Sequence, residues 1–185
     1  MPITINGTGS ITGISAGGLP DATVTPADLS QPFTAGTAVA STSGTSIDFT
    51  GIPSWVKRIT VMFNGVSTNG TSAYIVQIGS ASFTTSGYAG SAGNLSSPST
   101  FSSFTSGIPV IQAVNSSSTI RGIVTIANVT SNAWVATSVQ SFSDAAVISF
   151  GSSNVTLSGT LDRVRITTVN GTDTFDAGTI NILYE

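Results

Sequence analysis

The side chains of this chain able to do acid–base or covalent chemistry are eight carboxylates and the hydroxyls of 58 Ser and Thr among 185 residues; His and Cys are absent. Without imidazoles or thiols there is no Ser-His-Asp or Cys-His nucleophile, no zinc site built on those ligands, and no disulfide. The acids are Asp21, Asp28, Asp48, Asp144, Asp162, Asp173, Asp176 and Glu185. Glycoside hydrolysis needs two carboxylates facing each other across the scissile bond. Their spacing selects no pair, although Asp48 and Asp144 from neighbouring subunits would serve. The chain is therefore expected not to be an enzyme. Asp173 and Asp176, with Asn170 nearby, offer oxygens to a hard cation such as Ca²⁺. Their frame, NGTDTFDAG, departs from the EF-hand loop, and Asp and Asn commonly bond their own backbone in turns. The turn reading is preferred, and neither metal nor cofactor is expected.

Binding chemistry has more material. Aromatic rings stack on sugar rings, while amides and hydroxyls bond the sugar's own hydroxyls. Asn69, Tyr88, Asn94, Phe101 and Phe104 are the candidate contacts to a glycan or protein, the aromatics because they punctuate an irregular Ser/Gly-rich stretch. Core packing competes for each ring; it is the reading for Phe63 and Phe142 on alternating strands, and the better one for Trp134. Arg163 and Arg165 share one strand face beside Asp162 and read as a surface ion-pair ladder to another strand or subunit. With Lys57, Arg58 and Arg121 they are the only cations in a chain of net charge −3, so no basic stripe exists and no nucleic-acid partner is expected. Asn6, Asn69, Asn94, Asn115, Asn128, Asn154 and Asn170 begin Asn-X-Ser/Thr triplets, which so Ser/Thr-rich a composition produces by chance.

The elements that must position these residues are strands. Residues 46–50, 55–66, 73–79, 108–114, 119–129, 133–142 and 145–150 alternate apolar and polar side chains, and 162–169 and 179–184 form an expected last pair. A short edge strand is expected at 155–157. In 55–66 both faces are partly apolar, which suits a central strand. The STNGTS tip that follows carries the Asn-Gly hairpin signal. Residues 80–107 are the least regular part and read as a long functional loop. The expected fold is all-β, an antiparallel β-sandwich of jelly-roll-like form with a short extended N-terminal segment. Residues 1–34 form that attachment and trimerisation segment, and 35–185 the sandwich domain. Ile3, Ile5, Ile11, Ile14 and Leu19 are its candidate stalk contacts, and a helical turn is expected at 25–29. Only 7% of the residues are charged, against roughly 25% in an average domain. Strand edges so poorly guarded are expected to be covered by identical subunits in a symmetric oligomer. No apolar run approaches the ~20 residues of a membrane span, and MPITINGTGS lacks the basic start of a secretory signal.

DFTGIPSWVKRITVMFNGVSTNGTS, with the ending FDAGTINILYE, resembles the C-terminal β-domain of tail-fibre and related appendage proteins of tailed bacteriophages. SITGISAGGLPDATVTPADLSQP is similar to the Gly-Leu-Pro-Asp linker that precedes that domain in longer fibres. The likeness covers roughly residues 10–32, 46–75 and 160–185. It implies a homotrimeric virion protein, assembled in the host cytoplasm and exposed on the particle. Its N-terminal segment would join other virion proteins, and its globular tip would touch a host surface glycan or protein. A short trimeric tail fibre or fibre tip is the expected function; a head-decoration protein or tail adaptor without host binding is the alternative, and a polysaccharide depolymerase a more distant one.

Overall fold

The computed structural model of the chain describes residues 31–112 and 115–185. The chain divides into two compact units, Met1–Pro32 and Phe33–Glu185, and the second contains every strand among the described residues. Ile3, Ile5, Ile11, Ile14, Leu19 and the helical turn expected at 25–29 lie outside the described residues.

The described residues form strands and no helix: β1 (Thr34–Ala35), β2 (Val39–Ala40), β3 (Ser46–Thr50), β4 (Arg58–Thr68), β5 (Tyr74–Ser80), β6 (Ser82–Phe83), β7 (Ala89–Leu95), β8 (Thr100–Phe104), β9 (Ile108–Pro109), β10 (Ile120–Thr130), β11 (Ala133–Phe142), β12 (Ile148–Thr156), β13 (Arg163–Thr168) and β14 (Phe175–Tyr184). Nine of them make a large sheet in the order β1-β14-β4-β10-β11-β12-β7-β8, with β2 also on β14. The other five make a small sheet, β3-β13-β5-β6, with β9 also on β5. All pairings are antiparallel.

Period-two alternation produces this arrangement. In β4, Ile59, Val61 and Phe63 are buried while Arg58 and Asn64 are exposed. In β11, Trp134 and Ala136 point inward, and Val135 and Val139 outward. The main core takes Ile59, Val61, Ile126 and Ile180 from the large sheet and Phe49, Val76, Ile78, Val164 and Ile166 from the small one. Burying each such side chain contributes about 1.5–3 kcal/mol. β5 differs: Ile75 is as buried as Val76, because its other face meets Ala92 and Phe104 of the β7–β8 hairpin in a second cluster. The central position expected for 55–66 is found, since β4 lies between β14 and β10, although the strand starts at Arg58 and Trp55 sits in the preceding turn.

Several local expectations need correction. β4 and β5 belong to different sheets, so residues 69–73 form an arch between layers and not a hairpin tip. β13 and β14 are likewise in different sheets, and the expected last pair does not exist. An Asn-Gly signal marks a turn but does not say which sheet the next strand joins. The long loop expected at 80–107 is largely β7 and β8, whose rungs run from Gly90↔Phe104 to Asn94↔Thr100. Of the strand expected over 108–114, Ile108–Pro109 pairs; Pro109 has no amide to extend a ladder and sits on a sheet edge. The separate edge strand expected at 155–157 is the end of β12, Val155 lying opposite Trp134.

The two arches lock together. Asn69 N–H donates to Thr174 O (2.9 Å), Thr174 N–H to Asn69 Oδ1 (2.9 Å), and Ser72 N–H to Asp173 Oδ2 (3.0 Å). Asn170 Nδ2 donates to Asp173 Oδ1 at 2.6 Å. Gly70 lies beneath them, and a Cβ there would displace the Asp173 carboxylate from these bonds. A bulge lies further along β14, where Gly178 (φ +95°) lets the strand approach the Gly65 carbonyl that a Cβ would meet at 2.4 Å.

The registers give the large sheet two distinct ends. Thr68, Ile120, Phe142, Ile148, Leu95 and Thr100 lie at one end, with the arches and the connections after β7, before β10 and after β11. Thr34 pairs with Tyr184 at the other, where the backbone of Lys57 and Arg58 bonds Glu185 O and Arg58 pairs with the Glu185 carboxylate. Thr34 and Tyr184 thus lie at the end opposite the arches, an end that also carries the β3–β4, β10–β11 and β12–β13 connections.

Candidate functional site

Two features of the large sheet have the chemistry of a recognition surface. The first is a cleft of about 420 Å³ at the end bearing the arches, between the β7–β8 hairpin, the segment around Asn115 and Ser118, and the connection after β11. Its groups come from strand ends and are fixed by one another. Gln112 is held by its own N–H on Ser149 Oγ (3.2 Å) and by Nε2–H on Ser102 Oγ (3.0 Å). That second bond orients the amide, so Gln112 Oε1 faces Thr100 Oγ1 (3.1 Å) and Asn94 Nδ2 (3.4 Å), both of which donate to it. Asn94 Oδ1 is then left buried with no donor. On the opposite wall, Ser118 Oγ donates to Asp144 Oδ2 at 2.7 Å. The Ser143 amide bonds Thr119 O at 3.0 Å, and the Thr119 amide bonds Ser143 Oγ at 3.0 Å. Phe142, half-buried, and Val147 supply the apolar part of the lining. Asp144 is exposed and is the only carboxylate in the cleft.

The second feature is the outer face of β10, β11, β12, β7 and β8. Ile123 lies opposite Val139, Val139 opposite Phe150, Phe150 opposite Gly93, and Gly93 opposite Phe101. This continuous row crosses five strands with Ile123 46%, Val139 55%, Phe150 38% and Phe101 66% exposed. Phe101 lies across Gly93, where a Cβ would come within 2.3 Å of the ring, and meets Phe150 edge-on with centroids 6.3 Å apart. Leu95 and Ile148 extend the row on the next rung. Beside it runs a groove of about 590 Å³ whose lining includes the small side chains Ser91, Ser103, Thr137 and Ser152. Among the described residues no acid lies on this face and Arg121 is its one cation.

The candidate contacts named from sequence scatter. Phe101 is exposed, Asn94 half-buried at the cleft, and Asn69 exposed but bonded into the arches. Tyr88 and Phe104 are corrections: both are core residues, 3% and 6% exposed. Tyr88 Oη accepts from the Ile78 amide at 2.9 Å, which falls on the stretch of β5's edge between β9 and β6, and burial pushes its pKa up to about 12. A tyrosine that satisfies a sheet edge from inside has no face to offer a ligand. Phe104 is spent against Ile75 and Ala92. Trp134 and Phe142 pack as expected. Asp173 bonds Asn170 and Ser72 in keeping with the turn role expected for it, whereas Asp176 lies in β14 and accepts from Ser67 of β4. Among the described residues no group of three potential metal ligands gathers.

Of the ladder expected for the two arginines, Arg165 reaches another strand and Arg163 pairs with its own sequence neighbour. Arg165 makes two bonds to Asp48 on β3 (2.8 and 2.7 Å), and Arg163 two to Asp162 (2.7 and 3.2 Å). Both guanidinium groups lie over the Phe83 ring, at 4.1 and 5.6 Å. The Asp48 hydrogen bonds raise the Arg165 pKa, and the Arg163 bond lowers that of Asp162. Sequence reasoning did not bring Asp144, Gln112 and Asn115 together in one cleft, because their partners are far away in the chain and no local motif marks them. No family model, curated protein or solved structure matches the chain.

Proposed function

We propose that this chain is a structural protein of a bacteriophage particle: a short trimeric fibre or fibre tip, its sheets stacked as a jelly-roll-like sandwich, that contacts the host surface. The polarity of the strand unit carries this reading. The chain enters beside Tyr184, and the arches, three further connections and the polar cleft gather at the other end. A segment anchored to a particle at the entry end leaves that opposite end free to meet a cell. The likeness of residues 46–75 and 160–185 to appendage domains points the same way.

Three copies meet through the outer face of the large sheet. The ridge of Val139, Phe150 and Phe101 stands next to a groove lined by small serines and a threonine, a pairing of shapes that a second copy complements. Among the described residues the face carries no acid and a single cation, Arg121, so a highly charged partner finds little to match, whereas this charge-poor chain does. Trimerisation then raises the effective concentration of three weak contacts. The cleft holds one carboxylate where glycoside hydrolysis needs two, which favours holding a ligand over cleaving it.

Purified full-length protein added to host cells before infection is expected to lower phage adsorption, and labelling on intact particles to find it at the tail tip. Label confined to the head, with adsorption unchanged, would replace this reading with head decoration.

A further inference from the structure

We propose, resting on the reading that this chain contacts a host surface, that the cleft formed by Asn94, Gln112, Asn115, Phe142 and Asp144 binds a single ring of a neutral saccharide and rejects acidic ones. The donors and acceptors there are amides, hydroxyls and one carboxylate. That set matches a ligand which, like the hydroxyls of a pyranose, both donates and accepts at several neighbouring atoms. Asp144 spends Oδ2 on Ser118, and Oδ1 has no partner among the described residues, so the carboxylate can take a ligand hydroxyl as a charge-assisted acceptor. Asn94 forms part of the wall: its amide nitrogen is committed to Gln112, and its carbonyl oxygen is buried out of reach of a ligand. Phe142 and Val147 suit the C–H face of a sugar ring.

Charge sets the class. No Lys or Arg lines the cleft, and its one ionised group is negative. A phosphate, sulfate or uronate would meet Asp144 with nothing to neutralise it. The volume of about 420 Å³ falls within the range of small-ligand sites, about 300–1,000 Å³. Gln112 is braced by Ser149 and Ser102, so the amides are oriented before a ligand arrives.

The test is saturation-transfer NMR on the full chain with glucose, galactose, rhamnose and N-acetylglucosamine as neutral probes and glucuronate as the acidic one. At least one neutral sugar is expected to bind, with affinity on the order of millimolar, and glucuronate is not. Asp144→Ala and Asn115→Ala change exposed side chains outside the core, so both fold, which thermal melts check. Asp144→Ala should weaken binding about tenfold or more, and Asn115→Ala should also weaken it. Ser54→Ala, an exposed position in the turn before β4 at the other end of the sheet, should leave binding unchanged. The proposal is overturned if no neutral probe binds, if both cleft variants bind like the parent, or if glucuronate binds as well as the neutral sugars. Adsorption blocked by a protein that binds none of the neutral probes would sink the cleft and leave the surface-contact reading standing; sugar binding without any effect on adsorption would do the reverse.

Discussion

On the small sheet, the outward side chains of β13 are Arg163 and Arg165, each gripped by a carboxylate and both lying over Phe83. On the large sheet, the outward side chains of β10, β11 and β12 include Ile123, Val139, Ile148 and Phe150, exposed and uncharged. Both sheets press their other faces into one core, so the difference is not a matter of folding. In a chain with 13 charged residues, four of them are concentrated where β13 meets its surroundings. A face finished with ion pairs and a stacked ring is closed to further association. One left as an apolar ridge beside a small-residue groove gains by being covered.

The sharpest way to break that contrast is to put a charge on the open face. Val139→Lys, near the middle of the row, is expected to convert the proposed trimer to monomer, seen by sedimentation velocity as a loss of the larger species that the parent forms. Val139 is 55% exposed, so the monomer should melt close to the parent. Arg165→Ala on the closed face should leave the assembly intact. A trimeric Val139→Lys protein, or a monomeric Arg165→Ala one, would reverse the roles of the two faces.

A second effect separates the interior of the small sheet from its surface. Tyr88→Phe removes the hydroxyl that satisfies the Ile78 amide and should cost about 1–3 kcal/mol in denaturant melts, the penalty of a buried donor left unmet. Phe101→Ala, an exposed ring on the large sheet, should cost less. The tyrosine also gives the fold an alkaline limit. Burial raises the folded pKa to about 12, above the ordinary value near 10. Its contribution is therefore fully present below pH ~10 and is lost as pH rises from there through about 12, because the unfolded chain releases its proton first. Burial raises the Tyr74 pKa too, with the same sign. Tyr88→Phe should show a shallower loss of stability in that window; an unchanged slope would mean that Tyr88 is not the group responsible.

How far the sequence disclosed this depends on what each strand faces. β11 was legible with its bounds, because Trp134 and Ala136 are buried while Val135, Thr137 and Val139 alternate outward. β7 and β8 were not. Gly90, Ala92 and Gly93 have little strand propensity, and what holds them is tertiary: Ala92 against Ile75, and Phe101 across Gly93. The same failure hid the cleft, since Gln112, Asn94 and Asp144 converge only once that hairpin exists. Aromatic residues in a Ser/Gly-rich stretch look available for stacking, yet of Tyr88, Phe101 and Phe104 only Phe101 is exposed. The arches show a limit of another kind, because turn chemistry is local and sheet membership is not.

A smaller effect tests how the closed face is finished. Phe83→Leu keeps a partly buried apolar side chain but removes the ring quadrupole beneath Arg165, 4.1 Å from its centroid. The expected loss is about 0.5–1 kcal/mol in denaturant melts. The ion pair to Asp48 should survive, because its two bonds do not involve the ring. A loss of several kcal/mol would make Phe83 a core residue and not a surface finish.

The smallest expected effect comes from Asp162, which serves the closed face in two ways. It bonds Arg163 and also accepts the amide of Ala81, a residue at φ 58° in the turn between β5 and β6. The Arg163 bond, followed by the Ala81 amide, lowers its pKa below the ordinary aspartate range. A carboxylate with a depressed folded pKa adds stability that is present above the unfolded value near 4 and is lost as pH falls through the folded one. The pair is at the surface and screened, so the contribution is small. Melting the parent and Asp162→Asn from pH 6 downward should show a modest gap that closes in acid, a slope opposite to that of Tyr88. Added salt should narrow the gap at pH 6, because much of it is the exposed ion pair. A gap that persists at low pH and high salt would assign the role of Asp162 to the Ala81 turn instead of to Arg163.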